Sequence, residues 1–173
     1  STFKPINLAL ALEEGVIQKE GQVYDSGQVN VGGWSILNHD RKPNGLIDFA
    51  KVLQVSSNVG MVKAMSKLQP SKYWDWLHRL GIDKKPYTDL PGAVAGQLKS
   101  KDQFLLKPIE QVTASYGQGF SLTPLKLVQL HALIANGGYL VKPHITKGLI
   151  SENVSRKQFR DNGQKLIKTE VTK

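Results

Sequence analysis

The sequence predicts a mixed α/β (α+β) domain, rich in helix and short of strand, on three observations. Apolar residues recur at helical spacing in several segments between Ile6 and Ala135. Helix punctuation brackets the clearest of them, with Thr123-Pro124 in front of residues 125–135 and Asn136-Gly137-Gly138 behind. Strand-like runs are few, short and bounded by glycine. At 173 residues and 19.1 kDa the chain suits one domain with a sizeable core. A hydrophobic share of 40% against 21% charged residues argues against global disorder.

Taken in order, Thr2-Phe3-Lys4-Pro5 leads into a helix over residues 6–14, with Gly15 as its stop. Pro5 is tolerated only because it falls in the first turn. Ile6, Leu8, Ala9, Leu10 and Leu12 make this segment apolar on most sides, the pattern of a buried central helix. Residues 16–45 read as irregular, with short strands at 29–31 and 34–37. Helical spacing resumes over residues 46–54 through Leu46, Phe49, Ala50 and Leu53. After Val55-Ser56-Ser57-Asn58 a further helix carries Val59, Val62, Met65 and Leu68. Another opens at Pro70-Ser71, runs through Trp74, Leu77 and Leu80, and closes at Gly81. Residues 82–108 read as a long, turn-rich excursion. The capped helix over residues 124–135 is followed by a strand at Tyr139-Leu140-Val141. From Ser151 onward the chain reads as a polar tail.

Composition narrows the function classes. Cysteine is absent, which excludes disulfides and thiolate metal sites. His39, His78, His131 and His144 are far apart and form no metal-binding spacing, so no metal is expected. The net charge of +9 is spread among acids and apolar residues without a basic arm or an aromatic nucleic-acid motif. It reads first as a solvated basic surface and second as attraction to an anionic surface. No apolar run approaches the roughly 20 residues of a membrane span. The chain opens on Ser1 at a helix entrance without an initiator methionine, so it is expected to belong to something longer.

Ser1 and Lys4 carry the first chemical signal. Three residues apart at a helix entrance, they share a face. A serine hydroxyl needs a base within hydrogen-bond reach, and a lysine serves only when neutral. Bringing a lysine from its ordinary pKa to near 7 takes about 4 kcal/mol of destabilisation of the ammonium, part of which an apolar helix wall supplies. Alone, Ser-x-x-Lys is a weak signal. Ser56-x-Asn58 adds to it: a turn serine relays a proton, and an asparagine amide donates and accepts. Capping between two helices is the plain structural reading of the same triplet.

Together the two motifs resemble the active-site set of the penicillin-recognising serine enzymes. STFKPINLALALEEG is similar to the nucleophile helix of penicillin-binding proteins, and VSSNVGMVKAM to their second motif with its following helix. YGQGFSLTPLKLVQLHALIANGGYLVKPHI resembles the stretch ahead of the third motif in class B transpeptidases. The similarity runs from residue 1 to about 145. It implies the helix-rich part of the β-lactamase/penicillin-binding transpeptidase fold, with an incomplete antiparallel sheet. It further implies that Ser1 is acylated by a D-Ala-D-Ala stem peptide and that Lys4 takes its proton. Ser56 would pass a proton to the departing D-alanine, and Asn58 would bind substrate and help hold Lys4. An amine of a neighbouring stem peptide then resolves the acyl-enzyme, and a β-lactam traps it. The partners implied are peptidoglycan stem peptides, β-lactam antibiotics and other cell-wall synthesis proteins of elongation or division, with no nucleic acid and no cofactor. The location implied is the extracytoplasmic face of the cell membrane, behind an N-terminal transmembrane anchor.

Two departures qualify the resemblance. No Lys-Thr-Gly or Lys-Ser-Gly occurs, and Lys168-Thr169-Glu170 reads as ordinary polar tail. Residues 1–173 are therefore expected to be a partial transpeptidase domain, poor or inactive as a catalyst when isolated, with the third motif further along the parent. Gly92-Ala93 also stands where the family often has an acid after Pro-Gly. Competing classes are an N-terminal-nucleophile hydrolase, which needs Ser1 at a strand end, and a β-lactam sensor or non-catalytic homologue. A hydrolytic relative would need a positioned water, for which no dedicated residue stands out. Trp74 and Trp76 read as one packing and one surface residue, His131 as structural, and Gly117-Gln118-Gly119 as a tight turn near the site.

Overall fold

The computed structural model describes residues 1–151, 154–158 and 163–172. Its centre is helix α1 (Lys4–Glu13), whose Ile6, Asn7, Leu8, Ala9, Leu10 and Ala11 are all buried. A helix apolar on most sides must be surrounded, and α1 packs against α3 (Asn58–Met65) and α7 (Pro124–Ala135), and against the short α2 (Phe49–Gln54). Pro5 sits in its first turn, and Gly15, with φ +66°, follows its end.

Two antiparallel ribbons occupy one flank. β1 (Gln22–Asp25) pairs with β4 (Gly45–Asp48), placing Tyr24 opposite Leu46. β2 (Gln28–Val31) pairs with β3 (Trp34–Leu37) across Gly32-Gly33, both at positive φ, as a two-residue hairpin turn requires. The strands expected at 29–31 and 34–37 are therefore present, but β4 takes up residues 46–48, where helical spacing predicts helix. β1 offers an edge to that segment, and backbone pairing overrides a short apolar pattern; Asp48 then caps α2 by accepting from the Lys51 amide at 2.6 Å.

Helix α4 (Pro70–Arg79) is amphipathic and buries Tyr73, Trp76 and Leu77. Trp76 is the packing residue, and Trp74 stacks on His78 at 5.0 Å. The turn-rich reading of 82–108 misses helix α5 (Lys101–Leu106), capped by Ser100, and α6 (Pro108–Ser115) follows directly. Six residues with one buried apolar side chain, Phe104, make too weak a periodic signal to read. Helix α7 begins and ends as its punctuation indicates, with Thr123 Oγ1 accepting from the Lys126 amide.

The C-terminal stretch is not a polar tail. β5 (Tyr139–Leu140) pairs with β8 (Gln164–Lys165), and β6 (Gly148–Ser151) pairs with β7 (Val154–Gln158). Leu166 and Ile167 are buried, and Lys168-Thr169-Glu170 leads into a 3₁₀ turn, Thr169–Val171, that packs against α1. The Lys168 amide donates to Glu13 at 2.8 Å. Local polarity concealed a return of the chain to the core, a long-range contact that sequence pattern cannot carry. Residues 152–153, 159–162 and 173 of that stretch lie outside the described residues. Among the described residues the architecture is a helical body flanked by two-stranded antiparallel pairs, as the α+β expectation had it. No helix of the described residues is long and apolar enough to cross a membrane.

Candidate active site

Lys4 is an anomaly of the core. It is 2% exposed on the first turn of α1, where an ammonium is desolvated without an adjacent carboxylate among its hydrogen-bond partners. Its Nζ instead donates to the Ser56 carbonyl at 2.5 Å and to Ser56 Oγ at 2.9 Å. Burial alone lowers its pKa to about 8, because neutral amines lose less than ammonium ions on leaving water.

Ser56 is delivered by the way α2 ends. The Ser56 amide donates to Leu53 O and the Ser57 amide to Val52 O. This is a Schellman closure, in which the residue after the cap takes the left-handed conformation usually given to glycine. Here that residue is Ser56, with φ +54°. A non-glycine residue in that region costs about 1–3 kcal/mol, and such strain persists where surroundings over-determine it. The twist turns both oxygens of Ser56 toward Lys4. Ser57 next caps α3 by accepting from the Gly60 amide at 2.8 Å, so the capping reading of the triplet holds for Ser57 while Ser56 faces the other way.

Ser1 completes the line. Ser56 Oγ donates to Ser1 Oγ at 3.2 Å, giving a continuous path from Ser1 through Ser56 to Lys4. The Lys4 amide donates to Ser1 O at 3.1 Å, which folds Ser1 against the helix entrance. Ser1 lies ahead of a helix and not at a strand end, the placement an N-terminal-nucleophile hydrolase needs. Asn58 stands beside the path as the first residue of α3, and its Nδ2 donates to Leu37 O at 3.0 Å. Of the four residues singled out from the sequence, Ser1, Ser56 and Lys4 are thus joined by hydrogen bonds, whereas the described bonds of Asn58 go to Leu37 and Asn38.

The floor is built by residues the motifs do not mention. Phe3 is 2% exposed and meets Phe120 edge-on at 4.8 Å. Gly117, at φ +89°, lies so close that a Cβ there would stand 3.0 Å from Phe3 Cβ. The tight turn at 117–119 is therefore against the helix entrance, as its reading implied. Asn38 Oδ1 accepts from the amides of Asn58 and Val59, and Asp25 reaches Ser57 from behind. Asp25-Ser26-Gly27 reads locally as an ordinary turn, so nothing in the sequence distinguishes it. Among the described residues no cluster of three metal-ligating side chains occurs.

Known proteins resemble this chain in sequence and in fold. The sequence model of the family described as the penicillin binding protein transpeptidase domain matches residues 1–173. A peptidoglycan D,D-transpeptidase FtsI homolog of Chlorokybus atmophyticus is 44% identical over 86% of this chain and 24% of its own length. That of Mesostigma viride is 36% identical over 99% of this chain and 32% of its own. Stage V sporulation protein D of Bacillus subtilis is 34% identical over 100% of the chain and 27% of its own. The chain thus spans roughly a quarter to a third of the length of these curated relatives.

Among solved structures, a peptidoglycan glycosyltransferase from Burkholderia ambifaria superposes with a TM-score of 0.83 at 26% identity, over 98% of this chain and 51% of that one. A peptidoglycan synthetase from Bifidobacterium adolescentis shares the fold at a TM-score of 0.89 and 24% identity, over 99% of this chain and 32% of that one. A match along the whole chain, relatives well above 30% identity and a common fold converge, and the chain belongs to the penicillin-binding protein transpeptidase family, in its class B branch.

Proposed function

We propose that this chain is the nucleophile-bearing part of a peptidoglycan D,D-transpeptidase domain, with Ser1, Lys4, Ser56 and Asn58 as its catalytic residues. The observation that carries the reading is the path Ser1 Oγ, Ser56 Oγ, Lys4 Nζ ending on a buried lysine whose pKa is about 8. Ser1 Oγ attacks the carbonyl carbon of the penultimate D-alanine, and its proton passes through Ser56 to neutral Lys4. The tetrahedral intermediate expels the terminal D-alanine as the C–N bond breaks. The proton returns through Ser56 to that leaving nitrogen. The remaining acyl-enzyme is an ester at Ser1, which an amine of a second stem peptide resolves to a new amide. Asn58, at the mouth of this path, holds the substrate amide. A β-lactam acylates Ser1 in the same way, its ring nitrogen staying tethered.

The chain is a partial domain in this reading. It has no Lys-Thr-Gly or Lys-Ser-Gly and spans only part of its relatives' length. The third motif and the strand carrying an oxyanion donor would come from further chain, and loss of one such donor typically slows catalysis by about 10²–10³. The isolated stretch is accordingly a poor catalyst or none. The parent would act on the extracytoplasmic side of a membrane, held by an N-terminal anchor, beside other cell-wall synthesis proteins.

The test is the intact mass of the full parent chain after incubation with benzylpenicillin. A stable adduct that disappears in Ser1→Ala supports the reading; a D-Ala-D-Ala peptide and an acceptor amine then separate a transpeptidase, which turns over, from a β-lactam sensor, which only acylates. A folded parent that takes no adduct overturns it.

A further inference from the structure

Behind the Ser56–Asn58 turn lies a buried polar cluster that the acylation path does not touch. Asp25, at the end of β1, is 0% exposed. Its Oδ2 accepts from Ser57 Oγ at 2.7 Å, from Asn44 Nδ2 at 2.7 Å and from Asn38 Nδ2 at 2.9 Å. Its Oδ1 accepts from the Gly27 amide at 2.8 Å and from Asn38 Nδ2 at 2.9 Å. A buried carboxylate is tolerated only when its lone pairs are filled, and these are. Burial pushes the carboxyl up, but the bonds from Asn44, Ser57, Gly27 and Asn38 outweigh it and hold it below the ordinary aspartate value.

The cluster's other side grips the turn. A serine hydroxyl has one proton, and Ser57 gives it to Asp25 while accepting from the Gly60 amide. Asn38, oriented by Asp25 and by Lys42 O at 3.0 Å, presents Oδ1 to the amides of Asn58 at 3.0 Å and Val59 at 3.2 Å. Ser57 and Asn58 are thereby pinned on the side away from Lys4. Ser56 alone remains to bridge α2 to this pinned point, and it does so at φ +54°. The closing bonds of α2 and the bonds from Lys4 favour this conformation, and the pinned Ser57 and Asn58 keep the strained closure from relaxing.

We propose that Asp25 is a positioning residue of the Ser1 site: acting through Ser57 and Asn38, it anchors the back of the Ser56–Asn58 turn and so holds Ser56 in the strained conformation that bridges Ser1 and Lys4. The proposal rests on the acyl-enzyme reading above. It predicts that loss of the carboxylate slows the acylation step more than it weakens initial binding of the β-lactam.

The experiment measures acylation of the full parent chain by a fluorescent penicillin in stopped flow, separating the noncovalent dissociation constant from the acylation rate constant. Asp25→Asn keeps the shape but turns a donor toward donors; the expected result is a rate constant at least tenfold lower with a smaller change in the dissociation constant. Ser57→Ala gives the same signature, and the double variant is no slower than the slower single one, because Ser57 is one of the groups through which Asp25 acts. Thr123→Ala, a cap remote from the turn, leaves acylation unchanged and shows that lost stability alone is not the cause. Unchanged acylation in Asp25→Asn, or additive losses in the double variant, overturns the proposal. Should Asp25→Asn fail to unfold cooperatively, Ser57→Ala decides alone: a slowed acylation step supports the proposal and an unchanged one overturns it. A parent chain that takes no label in any form overturns the acyl-enzyme reading itself, an outcome distinct from both.

Discussion

In the proposed mechanism the pKa of Lys4, about 8, sets the pH dependence of the first chemical step. At pH 7 about one-tenth of the folded molecules carry a neutral Lys4, at pH 8 about half, and at pH 9 about nine-tenths. A lysine at its ordinary value would be neutral in only about 0.03% of molecules at pH 7, so burial raises the fraction of competent base roughly 300-fold. The acylation rate constant of the full parent chain, followed with a fluorescent penicillin, is therefore expected to rise about tenfold between pH 7 and 9, with its midpoint near 8. Stability follows the same linkage. The folded value is depressed, so the unfolded chain binds more protons between pH 8 and 10.5. The penalty is fully present below pH 8 and is relieved as pH rises through that window, by about 3 kcal/mol in total. Lys4→Met is expected to abolish the inflection, slow acylation by a hundredfold or more, and make stability less pH-dependent over that range. A rate that is flat from pH 7 to 9, an inflection close to 10.5, or one that survives in Lys4→Met would refute the assignment of Lys4 as base.

Other perturbations separate strain, hydrogen bonding and close approach. Ser56→Gly fits the left-handed residue of the α2 closure, so urea unfolding should show it about 1 kcal/mol more stable while β-lactam acylation falls by at least tenfold. Asn7 is fully buried, donates to Ala114 O and Ser115 O at 2.9 and 2.8 Å, and accepts from Tyr73 Oη at 2.9 Å. Asn7→Leu strands all three groups and should cost about 3 kcal/mol or more in urea unfolding, against about 1 kcal/mol for Tyr73→Phe. At Gly138, φ +98°, an added Cβ would lie 1.9 Å from the Ile167 carbonyl oxygen. Gly138→Ala should therefore lower stability by more than about 1 kcal/mol and increase proteolysis of residues 163–172, where an equal melting profile would contradict the described packing.

Much of this site was legible in the chain because its parts are local. Ser1 and Lys4 are three residues apart at a helix entrance, and the turn closed by the Lys4 amide on Ser1 O is itself local. The apolar wrapping of residues 6–12 already implies a buried helix, hence a desolvated Lys4. Thr123-Pro124 and Asn136-Gly137 mark α7 because caps are read within a few residues of each other. The terms decided elsewhere are those that join distant segments. Residues 46–48 belong to a strand because β1 offers an edge, although their own spacing suggests helix. Leu166 and Ile167 enter the core because β8 returns to β5, although their neighbours are polar.

The sequence by itself determined the helical frame and the order of the two motifs, written in short-range periodicity and in residue types, and the resemblance those motifs carry is what singled out Ser1 and Lys4 as candidate nucleophile and base. Only the tertiary structure decided that Ser56 rather than Asn58 makes the described contacts to Lys4. It alone showed that Ser56 occupies a glycine's conformation, and that Asp25, Asn38 and Asn44 meet behind the turn. The physical reason is one of range: capping and amphipathicity are written in neighbouring residues, whereas desolvation and the filling of a buried carboxylate's lone pairs depend on groups brought together only when the chain closes on itself.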